Sequence, residues 1–499
     1  MYPAKQTFFI LGLSKSGKAA TEFLLARGAT VYIYDDIQNE RIEKTAQALE
    51  ALGAKRVASE QVAKIADGCD ILVLSPGIPI DHPLAVAFKR SGRAVVGETE
   101  LAARYMSCSI IAITGTNGKT TTVSLLTEVL NAGGYTAHAC GNVGTPMLEY
   151  VHLPQDAVAV AEISSFQLET LSSLRPHIAI VLNITEDHLN RHYNMENYVF
   201  LKSKLLKRST EAEYAVLNYD DKKVRAFAET TKARTLFFSV REKVNGAYYQ
   251  NGDLYFGEEK LLSENELSIG GLHNVQNALA TIAAAKLMGV SSQNIVKALT
   301  SFKGVKHRLE EVGVVSGVKY IDDSKGTNVD ATVKAVACMK GETVLLLGGK
   351  DKGYAYAPLF STLKNSPVVH AVLYGENRYT LLKCAREQGF DSVSVCPHFI
   401  QAVQIAKMLA KQGQTVLLSP ASASFDEFTS YEERGDTFVQ IVQKFQQEAD
   451  QTTRANEEGA NEEIATAETA EHQSNEQPSE CDFEQPDELT IIARTEELE

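Results

Sequence analysis

The chain is poor in the features that would place it outside a reducing, aqueous compartment. Its seven cysteines (Cys69, Cys108, Cys140, Cys338, Cys384, Cys396 and Cys481) are scattered, with no Cys-x-x-Cys pair. An odd, unpatterned set is neither a disulfide frame nor a zinc site, and it fits a reducing compartment. No apolar run approaches the roughly 18 residues that cross a bilayer. The apolar stretch at residues 8–13 is too short for a secretory core and leads into a glycine turn. A basic excess is also missing. Of 63 acidic residues, 15 lie after residue 450 against only Arg454 and Arg494, so the tail carries −13 of the formal −14. The remaining body is near neutral and offers no global field for nucleic acid. The expectation is a cytoplasmic protein with no membrane insertion and no nucleic-acid partner.

What is present is enough chain for several cores. A length of 499 residues with 44% hydrophobic content suits two to four soluble domains. The acidic tail is rich in Glu, Ala, Gln, Asn and Thr and almost free of aromatics, so it buries too little apolar surface to offset the entropy of ordering. It reads as a disordered, solubilising extension or as a partner-binding tail, with residues 489–493 a short apolar docking segment in the second case.

The most informative stretch is Ala112-Ile113-Thr114-Gly115-Thr116-Asn117-Gly118-Lys119-Thr120-Thr121. An apolar run precedes it, and a helical pattern of Val123, Leu126, Val129 and Leu130, closed by Gly133-Gly134, follows it. A strand, a glycine turn and Gly-Lys-Thr opening a helix hold a polyphosphate, because backbone N–H groups approach the oxygens and the helix N-terminus adds positive potential. Lys119 would reach the outer phosphates and the Thr120 hydroxyl a magnesium ion. Ile113 stands where the full motif has its first glycine, so this is a contracted relative of that loop.

Alternation of short apolar runs with helical stretches predicts parallel α/β units. The first opens with a strand at 7–13, a turn Gly12-Leu13-Ser14-Lys15-Ser16-Gly17, a helix ending near Gly28, and a strand at 31–34 ending in Asp35-Asp36. That is the opening of a nucleotide-binding fold with an acid placed for a ribose, although Ser14 replaces the second glycine. A strand at 70–74 is capped by Ser75-Pro76-Gly77. The second unit has strands at 158–161, 178–182 and 215–217, then a hairpin-like β segment within 232–272 and a helix from Asn274 to about Met288. The third begins near Phe302, with strands at 318–321, 343–347, 369–373 and 415–418 and a closing helix at 433–447.

Polar groups cluster at the carboxyl ends of these strands, where ligands of such folds sit. Glu162 stands where phosphate-loop enzymes carry the acid that orients magnesium. His188 follows another strand; a hard cation prefers oxygen, so on chemistry alone this histidine is more often a structural hydrogen-bonding residue. Lys202 and Lys204 are ordinarily solvated helix charges. Asn274 and Asn277 share a helix face, and Arg308 is a candidate phosphate clamp. The runs 322–328, 348–353 and 419–424 each follow a third-unit strand.

Together these segments resemble the Mur ligase family, in particular its D-glutamate-adding branch. The resemblance rests on Ser75-Pro76-Gly77-Ile78, the loop at 114–121, Gly141-Asn142-Val143-Gly144, Glu162-Ile163-Ser164-Ser165, Thr185-Glu186-Asp187-His188, His273-Asn274 with Asn277, Asp323-Ser324-Lys325 and Leu418-Ser419-Pro420-Ala421. It covers about residues 5–447 and omits the tail. It implies an α/β protein of three domains: a Rossmann-like UDP-sugar-binding domain (1–96), a central phosphate-loop ATPase domain (97–304) and a Rossmann-like amino-acid-binding domain (305–447), before the disordered acidic tail (448–499). It implies a monomer that uses ATP and magnesium, at two sites, to join UDP-N-acetylmuramoyl-L-alanine to D-glutamate through an acyl phosphate.

Carried over position by position, the resemblance assigns catalysis to Lys119, Glu162, His188 and Lys202. ATP would be held by Gly115, Thr116, Asn117, Gly118, Lys119, Thr120, Thr121, Asn274, Asn277, Arg308 and Asp323. The metals would fall to Thr120, Glu162, His188 and Lys202, the last as a carbamate. Substrates would touch Lys15, Ser16, Asp35, Ser75, Pro76, Gly77, Asn142 and Ser164, and, around D-glutamate, Lys325, Thr327, Lys352, Ser424, Phe425 and Tyr431. Several positions depart from the family's frequent choices, among them Ile37 near the expected uracil site and Gly326 in place of a common alanine. A dehydrogenase would leave the phosphate loop unexplained, and a nucleotide switch would have no need of Lys202, Lys325 or Lys352.

Overall fold

The computed structural model describes residues 3–142 and 144–451 of the chain. The tail beyond 451, with its 489–493 segment, lies outside the described residues. Three sheets are strung along the sequence. The first contains β1 (Thr7–Leu11), β2 (Thr30–Tyr34), β3 (Lys55–Arg56), β4 (Ile71–Leu74) and β5 (Ala94–Val96), all parallel, in the order β3-β2-β1-β4-β5. β1 is shorter than its apolar run suggests. After Leu11 the Gly12 N–H still bonds the Tyr34 carbonyl, at 2.9 Å, but the chain then turns into the helix Lys15–Leu25.

The second sheet has nine strands: β6 (Ser109–Thr114), β7 (Ala137–Gly141), β8 (Val158–Glu162), β9 (Ile178–Val181), β10 (Tyr214–Asn218), β11 (Arg234–Ser239), β12 (Gly246–Gln250), β13 (Asp253–Phe256) and β14 (Glu259–Ser263). Their order is β14-β13-β12-β11-β10-β9-β6-β8-β7, parallel from β7 to β12 and antiparallel over the last three strands. The parallel strands are buried on both faces, which is why they read as unbroken apolar runs rather than alternating ones. The hairpin pattern read at 232–272 is therefore a mixed segment: β11 and β12 pair in parallel, and only β12 to β14 form the meander. β7 escaped the sequence reading because it is a short edge strand whose His138 is half-buried and Ala139 exposed, which breaks the apolar run.

Two helices clamp this sheet on the phosphate-loop side. The helix Lys119–Ala132 buries Val123, Leu126, Val129 and Leu130 and ends at Gly133. The helix Leu272–Leu287 packs against it, and its Ala278, Ala280, Ala283, Ala284 and Ala285 are all buried. Small side chains let the two backbones approach closely.

The third sheet is β15 (Glu310–Val315), β16 (Val318–Asp322), β17 (Thr343–Gly348), β18 (Val368–Tyr374), β19 (Val393–Val395) and β20 (Thr415–Leu418), ordered β15-β16-β20-β17-β18-β19. All neighbours are parallel except β15, an antiparallel edge strand. The chain is then helical over 431–451, longer than the pattern at 433–447 suggested. Among the described residues no helix is long and apolar enough to cross a membrane.

Arg434 pins this last helix to the loops at the carboxyl end of the third sheet. Its guanidinium is fully buried and donates to Ser324 Oγ at 3.0 Å, the Ser324 carbonyl at 2.8 Å, and the Ser422 and Ala423 carbonyls at 3.3 Å. A buried cation held wholly by neutral acceptors has no cheap substitute. Arg434→Ala leaves these carbonyls unpaired and should cost about 3 kcal/mol. In scanning calorimetry the transition of the third unit should fall by several degrees, with little recovery in Arg434→Lys because one ammonium cannot reach both loops.

Candidate functional site

The first and second sheets each reverse their strand order beside their first strand, and loops at such points splay apart to leave a crevice at the carboxyl ends. In the second sheet β6 lies between β8 and β9, with Ile113 opposite Glu162 and Thr114 opposite Val181. That register brings together the phosphate loop after β6, Glu162 at the end of β8, and residues 182–188 after β9. They form one wall of a cavity of about 380 Å³. The other wall comes from the third unit, through Arg308, Lys325, Thr327, Lys352, Ser424 and Tyr431.

The phosphate loop is shaped by glycine where the sequence placed it. Gly118 caps the helix at φ +88°, and a Cβ there would come within 2.4 Å of Asn277 Oδ1. Asn277 is itself fixed by donating to Asn274 Oδ1 at 3.1 Å. Asn183 holds the loop from the other side: its Oδ1 accepts from the Asn117 N–H at 2.8 Å and its Nδ2 donates to the Asn117 carbonyl at 3.0 Å. Thr116 bonds the Thr185 carbonyl and the Tyr198 hydroxyl.

Two lysine amines converge on one carbonyl. Lys119 Nζ donates to Gly115 O at 3.0 Å and Thr116 O at 2.8 Å, and Lys202 Nζ donates to the same Gly115 O at 2.9 Å. Lys202 is buried beside the Tyr198 ring. Burial, and next the Lys119 charge, hold its pKa well below the ordinary lysine value. Lys204 points elsewhere, to the Leu168 and Glu169 carbonyls, and does not line this cavity.

Opposite stands Glu162, buried and without an ion pair among the described residues. Its oxygens accept from Thr120 Oγ1 at 2.8 Å and Asn142 Nδ2 at 3.0 Å. Burial raises its pKa, but Lys325, Lys119 and these hydrogen bonds outweigh that, so the group stays ionised below the usual range. His188 adopts a left-handed backbone, φ +55°. Burial drives its pKa down to about 4, so the imidazole is neutral and one ring nitrogen carries a lone pair that could act as a ligand, while Nε2 lies 3.5 Å from Asp187 Oδ2. A carboxylate, a threonine hydroxyl and an asparagine amide form an oxygen-rich set that suits a hard divalent cation.

The third unit supplies cations. Lys325 bonds the Tyr431 hydroxyl at 3.1 Å, and burial pushes its pKa down to about 8. Lys352 bonds the Tyr354 hydroxyl at 3.1 Å and the Thr327 carbonyl at 3.3 Å. Ser424 is buried, and Phe425 is exposed at the rim. A second, narrow cleft runs between the Gly118 turn, Asn277, His273, Arg308, Asp323 and Lys334. Arg308 Nε is buried there with no partner among the described residues, a donor suited to an anionic ligand. Asp323 accepts from Ser419 Oγ at 2.7 Å, and burial pushes its pKa up to about 7.

Other sequence candidates fall elsewhere. Thr121 is buried and Asn274 acts through Asn277, and neither lines the central cavity or the narrow cleft. In the first unit Asp35 accepts from the Leu13 and Ile37 N–H groups and lines a separate cavity of about 480 Å³ with Ile37. Lys15 reaches the central cavity, and Ser164, the cap of the helix Ser165–Thr170, lines it. Ser16 lies half-buried one residue on. The Ser75 hydroxyl is turned inward, donating to the Gly12 carbonyl at 2.9 Å, and the Pro76 and Gly77 carbonyls accept from Arg191. These three shape the turn, with no free side-chain group offered to a ligand.

Several residues that sequence reasoning left without a role prove structural partners of the site. Asp187 is buried, accepts from the Tyr354 hydroxyl and from Asn328 Nδ2 at 3.2 Å, and so ties the second unit to the third. Asp330 accepts from Asn117 Nδ2 at 2.5 Å and from Lys334 at 2.8 Å. The pairs that cross between the units are separated by more than 140 positions. Asp187, beside His188, and Asn328, in the run 322–328, lay in segments that could have drawn attention, whereas Asp330 and Tyr354 did not.

Comparisons agree with this architecture unit by unit. Residues 6–97 match the Mur ligase MurD-like N-terminal domain, 113–285 the Mur ligase middle domain, and 307–422 the Mur ligase glutamate ligase domain. A UDP-N-acetylmuramoylalanine–D-glutamate ligase of Pelotomaculum thermopropionicum is 38% identical over 444 residues, 88% of this chain and 97% of the relative. One from Caldanaerobacter subterraneus is 40% identical over 441 residues, 87% of this chain and 97% of the relative. Among solved structures, a UDP-N-acetylmuramate-alanine ligase from Thermotoga maritima shares the fold at TM-score 0.59 and 16% identity, covering 88% of this chain and 99% of that one. The chain belongs to the Mur ligase family.

Proposed function

We propose that the protein joins D-glutamate to the L-alanyl carboxylate of UDP-N-acetylmuramoyl-L-alanine at the expense of ATP. The observation that carries this reading is the pair Lys119 and Lys202 on the Gly115 carbonyl, facing the buried Glu162 across a cavity whose far wall bears Lys325 and Lys352. Names borne by relatives at about 38% identity over nearly their whole length support the same reaction.

A carboxylate resists attack by an amine, so it is first activated. The γ-phosphoryl of ATP passes to the alanyl carboxylate oxygen, releasing ADP and leaving an acyl phosphate. The amine of D-glutamate then attacks the acyl carbon, and orthophosphate departs as the amide forms. Catalysis of such transfers is positioning and charge stabilisation. Lys119, the phosphate-loop N–H groups and Arg308 cradle the phosphates, with Asn277 fixing the loop and Asp323 lining the nucleotide cleft. Bound magnesium, at one site or two, would neutralise charge on the transferring phosphoryl, and Thr120, Glu162 and His188 would hold it. Lys202, whose burial disfavours the charged ammonium, would be the amine that adds carbon dioxide; the resulting carbamate would be an anionic oxygen ligand in place of a cation. Lys325 and Lys352 pair the two carboxylates of D-glutamate, with Thr327, Ser424, Phe425 and Tyr431 around them. The uridine diphosphate lies along the turn of the first unit, by Lys15, Ser16 and Asp35, and Asn142 meets the muramoyl peptide. We assign these roles to domains 1–96, 97–304 and 305–447.

Phosphate release from ATP in the presence of UDP-N-acetylmuramoyl-L-alanine tests the reaction. It should depend on D-glutamate and fail with L-glutamate, L-lysine or meso-diaminopimelate; release with another amino acid overturns the substrate assignment. Heavy oxygen placed in the alanyl carboxylate should appear in the liberated orthophosphate.

Lys202→Ala should lower kcat on the order of a thousandfold, as loss of a charge-stabilising group does. Added acetate should restore part of it, and isotopically labelled bicarbonate should give a carbamate resonance only in the wild type.

The depressed pKa of Lys325 gives a pH dependence of definite sign. Its charge is present below about 8 and lost above it. The wild-type KM for D-glutamate should therefore rise as pH passes 8. Lys325→Arg keeps the charge and should move that rise to higher pH, so the ratio of the two KM values isolates this residue from the titration of the amino acid.

A further inference from the structure

A second cavity, of about 420 Å³, opens between the first and second units and shares no lining residue with the central one. Its walls carry Lys89 from the helix Pro83–Arg90, and Lys204, Lys207 and Arg208 from the segment after the helix Met195–Ser203. None of these four makes an ion pair among the described residues. The nearby carboxylates are already engaged: Glu169 with Arg191 at 2.6 Å, and Glu100 with Arg104 at 2.6 Å.

The cations are also oriented. Lys204 is half-buried, and its ammonium is fixed by donating to the Leu168 and Glu169 carbonyls, with one N–H to spare. Arg208 spends only Nε, on the Ser172 carbonyl at 2.9 Å, and keeps its terminal nitrogens for a ligand. Four positive side chains against the one carboxylate of Glu169 around a concave surface leave a net positive charge, and their mutual repulsion is relieved when an anion enters. Beside the cations lie Ile80, Val95 and Phe200, whose ring is 60% exposed. An exposed aromatic face next to an arginine and lysines suits a ligand with both an apolar or planar part and a phosphate.

We propose that this cavity is a second anion-binding site of the protein, taking a small phosphorylated molecule with an apolar or planar group. Its wall is continuous with the substrate side of the first unit. Glu169 lines it and also orients Arg191, which donates to the Pro76, Gly77 and Ile78 carbonyls. An occupant touching both units would therefore act on the turn that shapes the sugar-binding side.

Inorganic pyrophosphate, titrated calorimetrically into the full chain without divalent metal, tests the proposal. The wild type should bind at two sites, the phosphate loop and this cavity. Lys207→Glu with Arg208→Glu should weaken one of them at least tenfold while ATP-dependent turnover persists, and Lys119→Ala should abolish only the other. The milder Lys207→Gln with Arg208→Gln should give the same loss in smaller degree, which separates charge from any folding defect. A single site in the wild type that disappears in Lys119→Ala, or unchanged binding in the charge-reversed protein, overturns it.

Discussion

Two amines on the carbonyl oxygen of Gly115 set the conditions for everything around them. Two ammonium groups at that separation, out of water, repel strongly, and burial penalises each charge as well. The conflict is resolved unevenly. Burial lowers the pKa of both amines, and that of Lys202, buried against Tyr198, falls well below the ordinary lysine value. Glu162 sits opposite for the converse reason: a buried carboxylate survives ionised only where cations and hydrogen-bond donors face it. The three groups come from β6, β8 and a helix after β9, and only the β8-β6-β9 order brings them together. A sheet of this order thus creates the site and the electrostatic strain within it at once.

That strain also explains how the third unit is joined to the second. Asn117, at the apex of the phosphate loop, is held by Asp330, and Asp187 is held by Tyr354 and Asn328. Each of these contacts places a carboxylate at the boundary between the units. Loop and lysines add positive charge on the second-unit side, and Lys325, Lys334 and Lys352 add it on the other, so the acids act as a charged seam between two cationic surfaces. The geometry of the phosphate loop therefore depends on the docking of residues more than 200 positions away.

How legible this was in the sequence follows from range. Local physics was readable: the apolar runs of β6, β8, β9 and β17, the Gly118 turn, and the helix from Lys119 all lie close to where periodicity put them, because burial on both faces and a glycine cap leave a direct trace. Short edge strands such as β3 and β19 left none, since two exposed or three half-exposed residues have no period. At the site, residues inside the strand-end motifs could be nominated by chemistry, and Lys202, a buried lysine near Tyr198, by resemblance alone. Which amines share a carbonyl, and that the Ser75 hydroxyl turns inward to Gly12, depend on register and long-range packing that composition does not encode.

Gly326 illustrates the limit most clearly. A methyl group added there would lie 2.4 Å from Asp323 Oδ2 and 2.7 Å from Ser419 Oγ. The space that a common alanine would fill is instead occupied by the Asp323 carboxyl, hydrogen-bonded to Ser419 and buried deeply enough to be protonated near neutral pH. With an alanine, Oδ2 would have to leave Ser419 and turn toward the Arg308 side of the narrow cleft. Glycine therefore leaves the Asp323 carboxyl the room it needs to keep its hydrogen bond from Ser419. The substitution removes a methyl group in a loop, yet its consequence falls on the position and hydrogen bonding of a carboxyl three residues earlier.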